Sequence, residues 1–257
     1  MGAIRMTAKR PIFLTLPHST KVPKTAMVMA AGLGKRMRPL TATKPKPLVA
    51  VAGKPLIDHA LSRLAAAGVT RAVVNVHYLA DAMEAHLKRN HQGMEIVVSD
   101  ERGLLLETGG GLIRALPLID ADPFLQVNSD NLWVNGPADA FTLLAERWDD
   151  ARMDALLLMV PQARANCHKG RGDFHMDSVG RLSRRKPGRI APFVWTGIQM
   201  LAKRLIVDPP SDRFSTNIFW DRAIATGRAY GVVHQGMWFD VGHPGAIAEA
   251  EAILADA

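Results

Sequence analysis

The densest group of chemically able residues runs through Ala30-Ala31-Gly32-Leu33-Gly34-Lys35-Arg36-Met37-Arg38-Pro39-Leu40-Thr41. Two glycines after a short apolar run let backbone N–H groups come close to an anion. Lys35, Arg36 and Arg38 set three cations within four residues, and Lys44-Pro45-Lys46-Pro47 adds two more on a backbone stiffened by proline. That is the chemistry of a phosphate cradle. A dinucleotide fingerprint would need a third glycine where Met37 stands and a carboxylate at the end of the second strand, where the chain reads Val76-His77-Tyr78. A Walker A loop would need glycine at Met29 and a hydroxyl at Arg36, so its magnesium ligand is missing.

Three further groups carry candidate chemistry. Asp130 closes Val127-Asn128-Ser129-Asp130 after an apolar run, at the kind of strand end where open α/β sheets bind ligands. Glu107-Thr108-Gly109-Gly110-Gly111 sets three glycines at the start of a helical stretch. Such a run is costly in a purely structural helix, so close approach of a ligand is expected there. Gly170-Arg171-Gly172-Asp173-Phe174 contains an Arg-Gly-Asp triplet of a kind that often arises by chance. A lone Asp is more often a cap or turn residue than a ligand.

The stretch A-A-G-L-G-K-R-M-R-P-L-T followed by K-P-K-P-L resembles the signature of the sugar-1-phosphate nucleotidyltransferases, G-x-G-x-R-x-x-P-L-T followed by P-K-P-L. The similarity extends over most of the chain from residue 25 onward. It implies an α/β, Rossmann-like nucleotidyltransferase fold with a mostly parallel central sheet and an added β-rich sugar-binding lobe. It also implies a divalent metal, normally Mg²⁺, and direct transfer of a nucleotidyl group from a nucleoside triphosphate to a sugar 1-phosphate, releasing pyrophosphate. Under the resemblance Arg36 grips the triphosphate, Lys46 lies near the α-phosphate, and Arg36, Lys46 and Asp130 form the catalytic group. Asp130 and Asp240, the latter in Trp238-Phe239-Asp240-Val241-Gly242, take the metal. Ser129 stands where the family often has Gly, and His243 where it usually has Thr.

The nucleotide is implied to contact Ala30, Ala31, Gly32, Gly34, Lys35 and Asn128. Its base or ribose is expected at Glu107, Thr108, Gly109 and Gly110, read by backbone groups. E-T-G-G-G together with H-x-G-R-G-D-F over residues 168–174 is similar to what the N-acetylmuramate 1-phosphate uridylyltransferases carry, and this assigns Asp173 to the sugar. Lys186-Pro187 is similar to a sugar-phosphate E-K-P motif with Arg185 in place of Glu, and Thr196 and Gly197 fall on a strand passing beside the sugar. The implied substrates are UTP and N-acetylmuramate 1-phosphate, in cell-wall recycling. A mannose- or heptose-1-phosphate guanylyltransferase shares the signature and is the alternative within the class. An inactive nucleotide-sensing homologue is the alternative outside it. The joint presence of Arg36, Lys46, Asp130 and Asp240 speaks against the sensor.

These residues need a scaffold, and hydrophobic periodicity predicts one. Strands are expected over 25–31, 72–76, 95–98 and 124–127. Helices are expected from 54 to a stop at Gly68, over 80–89 and over 108–116. This alternation predicts βαβ crossovers and a parallel sheet. After about residue 150 strands over 155–160, 173–176 and 193–200, a helix over 216–226 and a closing helix over 244–254 suggest a β-rich portion packed on the sheet. One domain over 25–257 is expected, with a nucleotide lobe over 25–150 and a sugar-binding lobe over 151–257.

Composition narrows the function classes. With 48% apolar and 22% charged residues the chain is ordinary globular protein rather than disordered or fibrous. Of the net charge of +8, residues 1–24 supply five basic side chains and no acidic one, and subtracting five leaves +3 for the rest. The basic character belongs largely to a segment read as a flexible extension, so a nucleic-acid binder is not supported. No apolar run reaches the roughly 18 to 20 residues a membrane span needs. The single cysteine, Cys167, excludes an internal disulfide and fits a reducing, cytoplasmic setting. Oligomeric state has no signature.

Overall fold

The apolar run at the head of the glycine loop forms the central strand of the sheet. In the computed structural model, which describes residues 21–89, 91 and 93–256, β1 is Thr25–Met29. The basic segment expected over 1–24 lies outside the described residues except for its last four. Next come β2 (Ala50–Val51), β3 (Lys54–Pro55), α1 (Leu56–Ala66), β4 (Arg71–Val76), α2 (Ala80–Leu87), β5 (Glu95–Asp100), α3 (Glu107–Ala115) and β6 (Phe124–Asn128). The second half holds β7 (Leu132–Val134), α4 (Ala140–Arg147), β8 (Ala155–Pro161), β9 (Ala165–Asn166), β10 (Phe174–Met176), β11 (Leu182–Arg184) and β12 (Phe193–Leu201). It closes with α5 (Asn217–Ala225), β13 (Ala229–Val233), β14 (Met237–Phe239) and α6 (Pro244–Ala255).

The first half follows the expected pattern. β6, β1, β4 and β5 lie side by side and parallel. Side chains of β1 alternate between the two faces of the sheet: Ala26 and Val28 join α1, α2 and α4 in one core, and Met27 joins α3 and α5 in the other. The helix expected from 54 begins at Leu56, because Lys54 and Pro55 are drawn into a small hairpin with β2. It stops where expected. Gly68 takes φ +86°, its N–H reaches the Ala65 carbonyl, and the Val69 N–H reaches Leu64, the glycine-dependent way of closing a helix C-terminus.

The second half differs from expectation in one respect that matters for the site. Strands β8 and β10 to β13 do not pack on the sheet; they extend it. β12 pairs antiparallel with β6, β8 joins the other edge of β12, and β13 runs parallel to β8. The register of β12 against β8 shifts between Trp195 and Gln199, and Gly197 sits inside that irregularity at φ +83°. α4 and the strands β7, β9, β11, β13 and β14 have no counterpart among the expected elements. α4 starts where the Asp139 carboxylate accepts the N–H groups of Phe141 and Thr142. A second sheet, β7-β14-β9, carries Asp240 just past the end of its central strand and rests with α6 on a separate small core that includes Met37, Phe239 and Cys167. Burial pushes the Cys167 thiol up to about 11, with Glu249 adding to the effect, so it stays protonated and unreactive. Among the described residues no helix is long and apolar enough to cross a membrane.

Candidate active site

The C-terminal ends of β1, β4 and β6 open into a cavity of roughly 420 Å³. This is the edge of a parallel sheet where ligands are expected. Of the expected nucleotide residues, Ala30, Ala31, Gly32, Lys46, Glu107, Thr108 and Asn128 line it, together with Asp130. A second cavity of roughly 180 Å³ lies alongside, lined by Arg36, Asp173, Thr196, Gly197 and Asp240 among others. Lys46, Asn128 and Asp130 belong to both. Lys46 Nζ lies 2.6 Å from Asp130 Oδ2, with the two side chains 12% and 35% exposed. A cation and a carboxylate therefore stand at the junction of two binding spaces.

Local sequence sets each of these groups. Pro45 and the buried Pro47 flank Lys46 in a single 3₁₀ turn, which fixes the direction in which its side chain leaves. Gly34 has φ +60°, and a Cβ there would fall 3.0 Å from Lys46 Cβ and from Thr41 Cγ2. Its role is to let the glycine loop lie on the lysine turn, and the Thr41 hydroxyl closes the contact by donating to the Gly34 carbonyl. Neither Gly34 nor the exposed Lys35 lines a cavity. Ser129, where a glycine was looked for, does not crowd the cleft; its hydroxyl donates to the Met29 carbonyl at 2.7 Å and ties β6 to β1.

Asp240 accepts from His168 Nδ1 at 2.9 Å. That hydrogen bond, followed by the nearby charges of His168, Arg36 and Lys46, holds its carboxyl below the usual carboxylate range despite burial. Gly242 leaves room for this approach, since a Cβ there would sit 3.0 Å from Asp240 Oδ1 and 3.3 Å from Arg36 Nη1. His243, the other departure from the family pattern, caps α6 by accepting the Ala246 N–H. Among the described residues no three His, Cys, Asp or Glu side chains are grouped to hold a metal. Two carboxylates in one cavity suit Mg²⁺, which keeps several waters and takes its remaining ligands from substrate phosphates.

Several expected contacts look different in three dimensions. The N–H groups of Gly109 and Gly110 donate to the Phe214 carbonyl at 2.8 and 3.2 Å, so they are not open to a base. A Cβ on Gly109 would meet the Phe214 ring at 2.5 Å, and one on Gly110 the Asp212 carbonyl oxygen at 2.1 Å. These glycines admit a neighbouring chain segment rather than a ligand. Glu107 pairs with Arg213 at 3.1 Å, and the Thr108 hydroxyl accepts the Thr216 N–H at 3.0 Å. The Thr196 hydroxyl is buried and donates to the Leu158 carbonyl, and its backbone carbonyl accepts from Trp238 Nε1 at 3.0 Å. Asp173 Oδ2 accepts the Trp195 N–H at 2.9 Å, which ties the Arg-Gly-Asp turn to β12. Lys186 is exposed and lines neither cavity.

Five polar residues absent from the expected set line the cavities: Asn75, Ser129 and Ser215 the larger one, Asn131 and His168 the smaller one. Asn75, on β4, faces the larger one. Its signal in the sequence was an amide inside an otherwise apolar strand, Ala72-Val73-Val74-Asn75-Val76. His168 lines the smaller one and was visible only as the first letter of a motif.

A nucleotidyl transferase family model matches residues 25–177. An N-acetylmuramate alpha-1-phosphate uridylyltransferase of Caulobacter vibrioides is 45% identical over 241 residues, covering 93% of this chain and 100% of the relative. The enzyme of the same name from Neisseria meningitidis is 35% identical over 239 residues, covering 89% and 97%. In fold, the chain is similar to HddC from Yersinia pseudotuberculosis complexed with GMP-PN, with a TM-score of 0.73 at 24% identity over 90% of this chain and 99% of that one. It is also similar to the UTP-bound UGPase from Acinetobacter baumannii, with a TM-score of 0.76 at 15% identity over 90% and 93%. With the glycine loop, the lysine turn and both aspartates gathered on two adjoining cavities, the chain belongs to the nucleotidyl transferase family.

Proposed function

We propose that the protein couples UTP to N-acetylmuramate α-1-phosphate, yielding UDP-N-acetylmuramate and pyrophosphate. The observation that carries the chemistry is the shared wall between the cavities, where Lys46 meets Asp130. The larger cavity takes the nucleoside triphosphate and the smaller one the sugar 1-phosphate, so the α-phosphorus and the attacking phosphate oxygen meet at that wall. One P–O bond forms between the sugar phosphate and the α-phosphorus, and the bond to the departing pyrophosphate breaks. The nucleophile is already anionic near neutral pH, so no general base is required. Lys46 sets a positive charge against the reacting oxygens, and Arg36, beside Asp240, meets the phosphates from the other side. Asp130 and Asp240 would hold Mg²⁺, which when bound neutralises charge on the phosphate oxygens. UTP and the N-acetylmuramyl sugar are favoured over GTP and mannose because the two near-full-length relatives carry that name. Cell-wall recycling in the cytoplasm is the setting that fits this activity.

The test crosses UTP, GTP, CTP and ATP with N-acetylmuramate, N-acetylglucosamine and mannose 1-phosphates in the presence of Mg²⁺ and follows pyrophosphate release. Fastest release with UTP and N-acetylmuramate 1-phosphate is expected. Preference for GTP and mannose 1-phosphate would replace the substrate assignment within the same reaction, and no release from any pair would overturn the enzymatic reading.

A further inference from the structure

Behind the larger cavity lies a buried polar chain that no part of the phosphate chemistry uses. Ala30, the first residue past β1, donates its N–H to Asn75 Oδ1 at 2.7 Å, and Asn75 Nδ2 donates to Glu101 Oε1 at 2.8 Å. Asn75 and Glu101 are each 1% exposed. Glu101 follows directly on β5 and is pinned through its backbone, donating to the Val76 carbonyl and accepting from His77 Nδ1. Against its carboxyl group packs Gly111, where a Cβ would fall 2.6 Å from Glu101 Oε1 and 2.9 Å from Asn75 Nδ2. The third glycine of the Glu-Thr-Gly-Gly-Gly run therefore makes room for this pair and not for a ligand.

The Asn75 amide has only one satisfied orientation. Glu101 Oε1 takes a hydrogen from Nδ2, which turns Oδ1 toward Ala30. With the amide reversed, Oδ1 would face the Glu101 oxygen and Nδ2 would face the Ala30 N–H, two repulsive contacts in a buried site. The residue whose amide is held this way opens the Ala30-Ala31-Gly32 stretch, and all three of its residues line the larger cavity. A pocket wall fixed in advance need not be ordered when the ligand arrives, and the gain appears as affinity.

We infer that Asn75 and Glu101 are positioning residues for nucleotide binding: Glu101 orients the Asn75 amide, and Asn75 holds the backbone of 30–32 in its binding shape. This rests on the reading that the larger cavity is the nucleotide site. It distinguishes the pair from a general support of the fold, because its effect falls on one substrate and leaves the other alone.

The test is titration calorimetry of the full chain with UTP and, in parallel, GTP in the presence of Mg²⁺, alongside the KM for N-acetylmuramate 1-phosphate. Asn75→Ala and Glu101→Ala are expected to weaken binding of the preferred nucleotide about tenfold to a hundredfold, with the sugar-phosphate KM unchanged. Glu101→Gln keeps an oxygen acceptor and is expected to bind like the wild type. Gly111→Ala presses on both members of the pair from α3, so it is expected to weaken nucleotide binding in the wild-type background and to add less in Glu101→Ala, where only its contact with Asn75 remains. Should Glu101→Ala fail to fold, Asn75→Ala and Glu101→Gln decide the matter alone. Unchanged nucleotide affinity in Asn75→Ala, or equal losses for nucleotide and sugar phosphate, would overturn the inference. A wild-type protein that binds GTP but not UTP would overturn the uridylyl assignment while leaving the pair testable with GTP.

Discussion

Gly110→Ala separates two explanations of the same glycine run. In an exposed helix this change would stabilise by about 1 kcal/mol through helix propensity alone. Here the new Cβ would lie 2.1 Å from the Asp212 carbonyl oxygen and 3.2 Å from its carbon, atoms of backbone that no side-chain rotation can move aside. The segment around 212–214 must withdraw, and it is held to α3 by the Gly109 and Gly110 N–H groups on the Phe214 carbonyl. Losing those two bonds costs about 1 kcal/mol each, and residual overpacking adds about 1–3 kcal/mol. After the propensity gain the net destabilisation is about 2–4 kcal/mol, a fall in Tm of about 4–16 °C for a chain of this size. Thermal unfolding followed by circular dichroism, with nucleotide affinity measured well below the lowered Tm, reads both quantities. A variant that melts at or above the wild-type temperature while losing nucleotide binding would refute the packing explanation and return the glycines to a ligand.

Three other perturbations address the site. Asp130→Asn removes the charge that faces Lys46 at the junction and is expected to lower turnover at least about a hundredfold, measured as initial pyrophosphate release; near-wild-type turnover would remove Asp130 from the metal role. His168→Leu deletes the donor to Asp240 and is expected to lower activity about 10–100-fold and to raise the Mg²⁺ concentration needed for half-maximal rate. His168→Asn places an amide nitrogen near the former Nδ1 and is expected to recover most of that loss; equal defects in both variants would mean that the ring matters only as packing. Glu101 supplies a pH signature. Burial raises its carboxyl above the usual range, so the native state holds a proton that the unfolded chain releases, and stability drops as pH climbs through that interval. Glu101→Gln is free of this penalty, and its Tm advantage over wild type is expected to grow across a pH range that starts near the ordinary glutamate value of about 4 and runs upward. A constant difference across that range would contradict it.

Much of the fold was legible because the first half obeys simple periodicity. The strand that became β1 is a short apolar run, and the helix that became α1 ends at a glycine which the C-terminal closure needs at positive φ. β13 escaped notice since Ala-Tyr-Gly-Val-Val is brief and carries a mid-strand glycine, and its identity depends on pairing with β8 far away in sequence. The site divides along the same line. Lys46, Asp130 and Asp240 are recognisable because each lies in a short contiguous motif that resembles the family's, which local sequence displays. Whether a glycine faces a ligand or a neighbouring backbone is a tertiary fact, and Gly34, Gly109 and Gly110 all proved to face protein. Asn75 could be seen as an oddity in an apolar strand, but its partners Ala30 and Glu101 are 45 and 26 residues away.

The central claim, that two adjoining cavities bring UTP and N-acetylmuramate α-1-phosphate together across Lys46 and Asp130, meets its most direct test in internal competition. All four nucleoside triphosphates and the three sugar 1-phosphates are mixed at equal concentration with the enzyme and Mg²⁺, and the nucleotide-sugars formed at early times are identified by mass spectrometry. The ratio of products then reports relative kcat/KM within a single reaction. UDP-N-acetylmuramate is predicted to dominate the products. Predominance of GDP-mannose, or formation of no nucleotide-sugar at all, would contradict the account.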